Sequence, residues 1–415
     1  MTAVIVCIGD ELLSGVVVNS NAAMIGDLLS RRGVRVVREV SVGDDEDAIV
    51  EVLSSAAAAA STVVVTGGLG PTDDDRTRHA LARLTGAALV RDEPAVTALR
   101  ERFARWGREM PDSNLRQADM PAGATAIPNP IGTAPGIRIE RQDCVLYAIP
   151  GVPREARRMM DEQVLPDLYS RGVVGEAVRT LEISCVGIPE AELGERLADL
   201  AASPNPALAF LPSGGQVRLR FVARGSAADE LAKLLAEAEA TVRQRCGSAV
   251  FGTDGQTLEA VVGLLLAGAG LTVATAESCT AGLVASRLAS VPGASAYLRG
   301  GLVAYHEEVK AHGLGVSRSL IEAAGPVSGE VALEMARGAR YALGADLGLS
   351  VTCSAGPEPQ GGAEVGTTFL AVSGATGAGV VRGLRLPGER QQVCELAATF
   401  ALDLLRLHLL GERPR

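Results

Sequence analysis

The chain has 415 residues, 47% of them hydrophobic, with 48 glycines, 20 prolines and a formal net charge of −10. That length predicts two to three globular domains. The acidity argues against a general affinity for phosphate backbones, and an aromatic content of 3% leaves little to stack on single-stranded nucleic acid. The opening MTAVIVCIGDELLSG has no basic leader and reads as a strand and its loop, and no apolar run reaches membrane-spanning length. A cytoplasmic protein with no membrane partner is therefore expected. Seven scattered cysteines without CxxC spacing predict reduced core thiols, and four histidines without ligand spacing predict no zinc site.

In chain order, AVIVCIG (3–9), VRVVREVSVG (34–43), STVVVTGGLG (61–70) and CVLYAIPG (144–151) are short apolar runs. Helical patterns near 20–32, 45–60, 77–86 and 93–107 separate them. This alternation predicts a mainly parallel sheet over residues 1–172, covered on both faces, with ligands beyond the carboxyl ends of the strands. Residues 176–250 hold two strand-like runs, AVRTLEISCVG and QVRLRFVARG, and two helices. They predict a small α+β module of KH-like outline with no GXXG clamp, so no direct nucleic-acid binding is expected. Residues 255–415 restart the α/β rhythm with LTVATA, GLVAYH, LGLSVTCSAG and GVVRGLRLPG. The fold class is α/β: two three-layer α/β domains with mainly parallel or mixed sheets, joined by the small module.

Chemistry gathers where strands end. In TGGLGPTDDDRTR (66–78), Gly67 and Gly68 permit close backbone approach and Thr72 adds a hydroxyl. Asp73, Asp74 and Asp75 either hold a divalent cation bridging phosphates or cap the following helix. GDELLSG (9–15) adds Asp10 and Glu11 at the same edge, NPIGTAPG (129–136) adds Asn129 and Thr133, and PGVPRE (150–155) again follows a strand.

Only two of the 39 basic residues are lysines. Guanidinium stays protonated, whereas a buried amine can lose its proton, so each lysine asks for a reason. Lys233 lies in an amphipathic helical pattern, where a solvated lysine is ordinary. Lys310 ends GGLVAYHEEVK, five residues after Tyr305 and fifteen after Ser295. It is either a surface residue without a task or the base beside a hydroxyl and a phenol. In AESCTAG (276–282), Ser278 and Thr280 either cap a helix or join its N–H groups in an anion cradle. Thr352 and Gly356 belong to another strand-end loop, and Arg390 of PGER is a fixed cation suited to phosphate.

GDELLSG, TGGLGPTDDD, NPIGTAPG and PGVPRE, in this order, resemble the amino-terminal domain of the CinA (competence/damage-inducible) proteins, which shares its fold with molybdopterin-binding enzymes. AESCTAG, PGASAY, AYHEEVK and the AGP…GG loop resemble the nicotinamide-nucleotide amidase domain at the carboxy terminus of the same family. The first resemblance implies a metal-dependent ADP-ribose pyrophosphatase. Mg²⁺ or a similar divalent ion would sit on Glu11 and Asp74, with Gly67, Gly68, Thr72, Asn129 and Thr133 around the substrate. The second implies hydrolysis of nicotinamide mononucleotide (NMN) to nicotinate mononucleotide and ammonia, without a cofactor. Ser295, Tyr305 and Lys310 match its catalytic positions, with Ser278, Thr280, Thr352, Gly356 and Arg390 as substrate contacts. A homodimer is also implied. The sequence departs from the family at Asp10, where threonine is common, and in CTAG for CTGG, YHEEVK for YSNEAK and TCSAGPEPQGG for TGIAGPGGG. Two other readings stand beside this one. A nucleotide-binding scaffold with degenerate sites is favoured by the altered 352–362 loop and opposed by the retained Lys310. A molybdopterin-handling enzyme rests on the first domain alone and is opposed by the second.

Overall fold

The computed structural model describes residues 1–171, 177–374 and 379–413, so the expected boundary at 172–176 lies outside the described residues. Two compact units emerge: Met1–Arg179 with Arg224–Leu231, and Thr180–Ala223 with Ala232–Arg415. Among the described residues, no helix is long and apolar enough to cross a membrane.

In the first unit the strands are β1 (Thr2–Ile8), β2 (Arg35–Val42), β3 (Thr62–Thr66), β4 (Leu89–Arg91), β5 (Asp119–Pro121), β6 (Thr125–Ile127), β7 (Gly136–Arg141) and β8 (Cys144–Ile149). Six of them form one sheet in the order β2-β1-β3-β8-β7-β6, while β4 and β5 pair separately. β2, β1, β3 and β8 run parallel, and β7 and β6 add an antiparallel edge. Strand side chains alternate between faces, so a continuously apolar strand feeds two cores. Val4, Val6 and Ile8 of β1 pack with Ile49, Leu53 and Leu81 of the helices on one face. Ala3, Ile5 and Cys7 pack with Ile25, Leu29 and Met159 on the other, giving three layers. Asn19, Asp45 and Asp92 cap three of the helices, each accepting the N–H three residues on.

The middle segment builds a four-stranded sheet in the order β10-β11-β9-β12, from β9 (Ala177–Val186), β10 (Ala207–Ser213), β11 (Gln216–Gly225) and β12 (Val250–Thr253). β10 and β12 add two strands to the pair expected from the pattern. Pro212 interrupts the first, and the second is only VFGT, too short to show a period.

The last domain has β13 (Val273–Glu277), β14 (Leu298–Val303), β15 (Leu347–Cys353), β16 (Thr367–Ser373) and β17 (Gly379–Arg385), ordered β14-β13-β15-β16-β17. β13 pairs parallel with β14 and β15, and β16 and β17 complete a mixed sheet by antiparallel pairing. Val262, Leu266, Val284, Leu288, Val393 and Ala401, from three helices, cover one face. Leu314, Ile321, Val331 and Met335 cover the other.

The expectation of seven reduced thiols is corrected at one pair. Cys279 and Cys353 form a disulfide, with Cα atoms 5.8 Å apart. The register explains it: Glu277 pairs with Val351, so the second residue beyond each lies side by side as β13 and β15 end. Cys7, Cys144, Cys185, Cys246 and Cys394 lie outside any disulfide. Thiol titration of the denatured chain is therefore expected to count these five without reductant and all seven after reduction; seven in both states would reject the bridge.

Candidate functional site

Lys310 lies on the helix Glu307–Leu314, whose N-cap His306 accepts the Glu308 N–H through Nδ1. The lysine side chain turns inward and is only 2% exposed, which removes the surface-lysine reading. Its Nζ donates to the Pro326 carbonyl at 2.7 Å and to Thr352 Oγ1 at 3.0 Å. Thr352 in turn donates to the same carbonyl at 2.9 Å, closing a triangle. Burial lowers the Lys310 pKa from 10.5 to about 8, against the opposing pull of Glu307. At neutral pH roughly a tenth of such amines are uncharged, a state closed to arginine. Lys233, by contrast, is exposed and faces Glu237 at 4.0 Å.

Tyr305 lies just beyond β14, half exposed, and its hydroxyl accepts from Arg390 Nη2 at 2.5 Å. Arg390 Nη1 donates to the Gly356 carbonyl at 2.6 Å. Arg390 opens the helix Arg390–Leu409 behind a capping box of Glu389 and Gln392, which fixes where the guanidinium starts. The structure thus joins Tyr305, Arg390 and Gly356 in one group and Lys310 and Thr352 in another, at the same sheet edge.

The amide cradle expected in AESCTAG is corrected. The buried Glu277 carboxylate accepts the N–H groups of Gly282 (3.0 Å), Val284 (3.0 Å) and Ala285 (2.8 Å). The Ala281 and Leu283 amides donate to Ser278 and Thr280 carbonyls. An internal anion has therefore taken the place meant for a ligand's phosphate. Thr280 Oγ1 is buried without a hydrogen-bond partner among the described residues, so it does not act as a cap. Ser278 is buried beside it. Ala281 has φ +49°, the left-handed region where the resembling family carries glycine, at a cost of about 1 kcal/mol.

Ser295 stands elsewhere. It occupies the single turn Ala294–Ala296 that enters β14. Leu298 pairs with Val273, the first residue of β13, and Val303 pairs with Glu277, the last. Ser295 is thus at the amino edge of the parallel strands, whereas Tyr305 and Lys310 are at the carboxyl edge, with the length of β14, about 17 Å, between them. One chain does not assemble the expected Ser295–Tyr305–Lys310 set, because strand polarity sends its members to opposite edges.

In the first unit, the loops at the carboxyl ends of β1, β2, β3 and β8 enclose a cavity of about 410 Å³. Glu11, Asp44, Gly67, Gly68, Asp74, Thr133 and Glu155 are on its walls. Burial first, then the charges of Asp10, Glu11 and Asp74, raise the Asp44 pKa against a hydrogen bond from the Asp10 amide. Among the described residues no three metal-ligating groups converge on one point. Mg²⁺ is commonly held by one or two carboxylates plus water and substrate phosphate oxygens, and Glu11, Asp44 and Asp74 all line this cavity.

Other acids serve the loops. Asp10 Oδ1 accepts the Asp44 N–H and Asp44 Oδ2 accepts the Asp10 N–H, a reciprocal brace. Asp75 accepts from Gly70 N–H, Thr72 N–H and the Thr72 hydroxyl, and Asp73 pairs with Arg116. The helix at Thr77 has no side-chain cap, which removes the capping reading of this run. Thr72 and Asn129 both have internal partners. Asn129 accepts from Ile131 and Gly132 and donates to the Ala134 carbonyl and Glu155, so it shapes the loop. Gly67 has φ +107° and a Cβ there would overlap the Ile8 carbonyl, so close approach is real. Sequence reasoning missed Asp44, Glu155, Glu277 and Pro326. Glu155 and Glu277 stood in quoted motifs, PGVPRE and AESCTAG.

Loops gathered at the strand ends of two covered sheets, one set enclosing a cavity, define a two-domain α/β protein. Residues 4–170 match the family model described as "Probable molybdopterin binding domain", 180–252 the "Damage-inducible protein CinA KH domain" and 255–409 the "CinA C-terminal domain". A CinA-like protein of Frankia casuarinae is 45% identical across 99% of this chain and 97% of its own length. A CinA-like protein of Geobacter metallireducens is 43% identical across 99% and 100%. The chain belongs to the CinA family. A solved structure, protein CinA with unknown function from Thermoplasma acidophilum, is 34% identical and covers 40% of this chain and 96% of that one, with a TM-score of 0.38.

The buried lysine predicts a pH signature. Its folded pKa, about 8, lies below the ordinary 10.5, so between those values the unfolded chain holds more protons. Stability should therefore rise with pH across that window, by about 3 kcal/mol for this group, and the penalty is fully present below pH 8. Urea unfolding of Lys310→Met is expected to lose that rise; an identical rise in the variant would exclude Lys310 as its source.

Proposed function

We propose that the last domain hydrolyses the carboxamide of NMN to nicotinate mononucleotide and ammonia, in cytoplasmic pyridine-nucleotide recycling. The observation that carries this reading is Lys310: a buried amine with a lowered pKa, pinned by Pro326 and Thr352 at the strand edge where ligands gather. Uncharged, it accepts the proton of an attacking serine hydroxyl, directly or through Tyr305. The serine oxygen bonds to the amide carbon, the carbon–nitrogen bond breaks, and the lysine proton leaves with the nitrogen as ammonia. Water then cleaves the acyl-serine to give the carboxylate. Arg390 holds the nucleotide phosphate, and Ser278 and Thr280 supply hydroxyl contacts.

The serine comes from a second copy. β14 is an edge strand, paired among the described residues only with β13. Antiparallel pairing of two β14 edges about a two-fold axis at Gly300 sets Ser295 of the partner subunit opposite Tyr305, each five residues from the axis. The homodimer implied by the family resemblance thereby acquires a catalytic reason.

Ammonia release from NMN tests this. The wild type is expected to show kcat/KM rising through about pH 8, and Lys310→Arg and Ser295→Ala each to lose at least about a hundredfold. Mixing the two dead variants under subunit exchange should restore about a quarter of the activity, because half the dimers then carry one intact site. No restoration would reject the shared site. A wild type that binds NMN yet releases no ammonia would establish the scaffold reading instead.

For the first domain we propose ADP-ribose pyrophosphate hydrolysis, supported by the gathering of Glu11, Asp44 and Asp74 on one cavity. A divalent ion there supplies charge neutralisation and an acidified water. Cleavage of ADP-ribose to AMP and ribose phosphate should stop with EDTA and fall at least about tenfold in Glu11→Gln; turnover unaffected by EDTA would reject the carboxylate–metal model.

A further inference from the structure

A cavity of about 560 Å³ lies between the Gly214–Gly215 hairpin turn of β10 and β11 and the helix Arg390–Leu409. Its walls are apolar at Ile188, Val217, Pro387, Leu396 and Phe400, and none of the residues assigned to the amidase reaction lines it. One cationic side chain, Arg382 of β17, is set into the wall. Its side chain is nine-tenths buried, with a relative exposure of 10%. Nε and Nη1 find no hydrogen-bond acceptor among the described residues. The guanidinium carbon lies 5.5 Å from the centre of the Phe400 ring, which also lines the cavity.

The buried charge around it does not balance. Asp403 faces two guanidiniums: Arg406 donates to Oδ1 from Nε at 3.1 Å and from Nη2 at 2.7 Å, whereas Arg382 reaches Oδ2 only at 3.8 Å. Arg406 is further satisfied by the Ser248 carbonyl at 2.6 Å. Two cations and one anion leave a net positive charge in a desolvated wall, a costly arrangement unless an anion completes it. Glu190 also lines the cavity but is solvent-exposed, so it does not meet this need. Burial lowers the Arg382 pKa, the direction expected of an uncompensated guanidinium. The apolar walls, with Phe400 beneath the guanidinium, favour an aromatic ring over a hydrated ion such as inorganic phosphate.

We propose that this cavity binds an aromatic monocarboxylate, its carboxylate on Arg382 and its ring against Phe400 and Leu396. The site does not depend on the amidase reading. The probes are 4-fluorobenzoate and its neutral counterpart 4-fluorobenzamide, observed by fluorine NMR on the full-length protein. 4-Fluorobenzoate is expected to bind at least about tenfold more tightly than the amide, the margin of one charge-assisted contact. Arg382→Gln should remove that margin, and Leu396→Trp, which fills the cavity while keeping the cation, should weaken both probes. Arg390→Gln, at the other site, should change neither. Absence of binding to the wild type overturns the proposal. So does equal binding of acid and amide, binding unchanged in both cavity variants, or loss confined to Arg390→Gln.

Discussion

The parallel pairing of β13 with β14 and β15 is the constraint on which the last domain depends. It sends every strand-end loop to one edge, so the residues after Glu277, Val303 and Cys353 become neighbours despite wide separation in sequence. Lys310 is buried because the helix following β14 must fold back over that edge, and Thr352 and Pro326 are there to receive its amine. Placing an ammonium there costs several kcal/mol unless it is paired, and the two oxygens offered are neutral. Lowering the pKa is how the site resolves that cost. The same polarity carries Ser295 to the far edge, which transfers the question of the nucleophile from the chain to its exposed strand.

Much of the fold was legible because buried parallel strands are uniformly apolar. VIVCI, TVVVT and CVLYAI could hardly be anything else in a chain alternating with amphipathic helices. β10 and β12 escaped because a proline and a four-residue length erase periodicity. At the site, Lys310 was visible from composition alone, since an arginine-rich chain that keeps a lysine exposes its choice. The Pro326 carbonyl was not, for a backbone acceptor leaves no mark in the side-chain alphabet. The Cys279–Cys353 bridge needed the β13–β15 register, which two cysteines 74 residues apart do not reveal.

Carboxylates show the same limit from another side. Asp10, Asp73, Asp75 and Glu155 all lie in motifs that invite a metal reading, yet each is engaged by a protein donor. Asp10 replaces a residue that is commonly threonine in the resembling family, and its reciprocal brace with Asp44 explains how the substitution is accommodated. Acids at a strand edge are first of all hydrogen-bond acceptors for tight loops, and on the proposed reading the ion draws on Glu11, Asp44 and Asp74.

Glu277 completes the argument for the basic residues. By taking three amides at the start of the helix that follows β13, it cancels the positive end that would otherwise attract phosphate. On the proposed reading, attraction of an anionic nucleotide then falls to side-chain cations, and the two at this edge are of different kinds. Arg390 is anchored by Gly356 and Tyr305 and carries a guanidinium, the permanent cation among side chains. Lys310, sunk out of solvent, keeps its charge optional. On the proposed reading, permanent charge binds and optional charge transfers protons. Exchanging the two residue types would leave a base that cannot be neutral and an anchor that loses its planar, two-pronged grip.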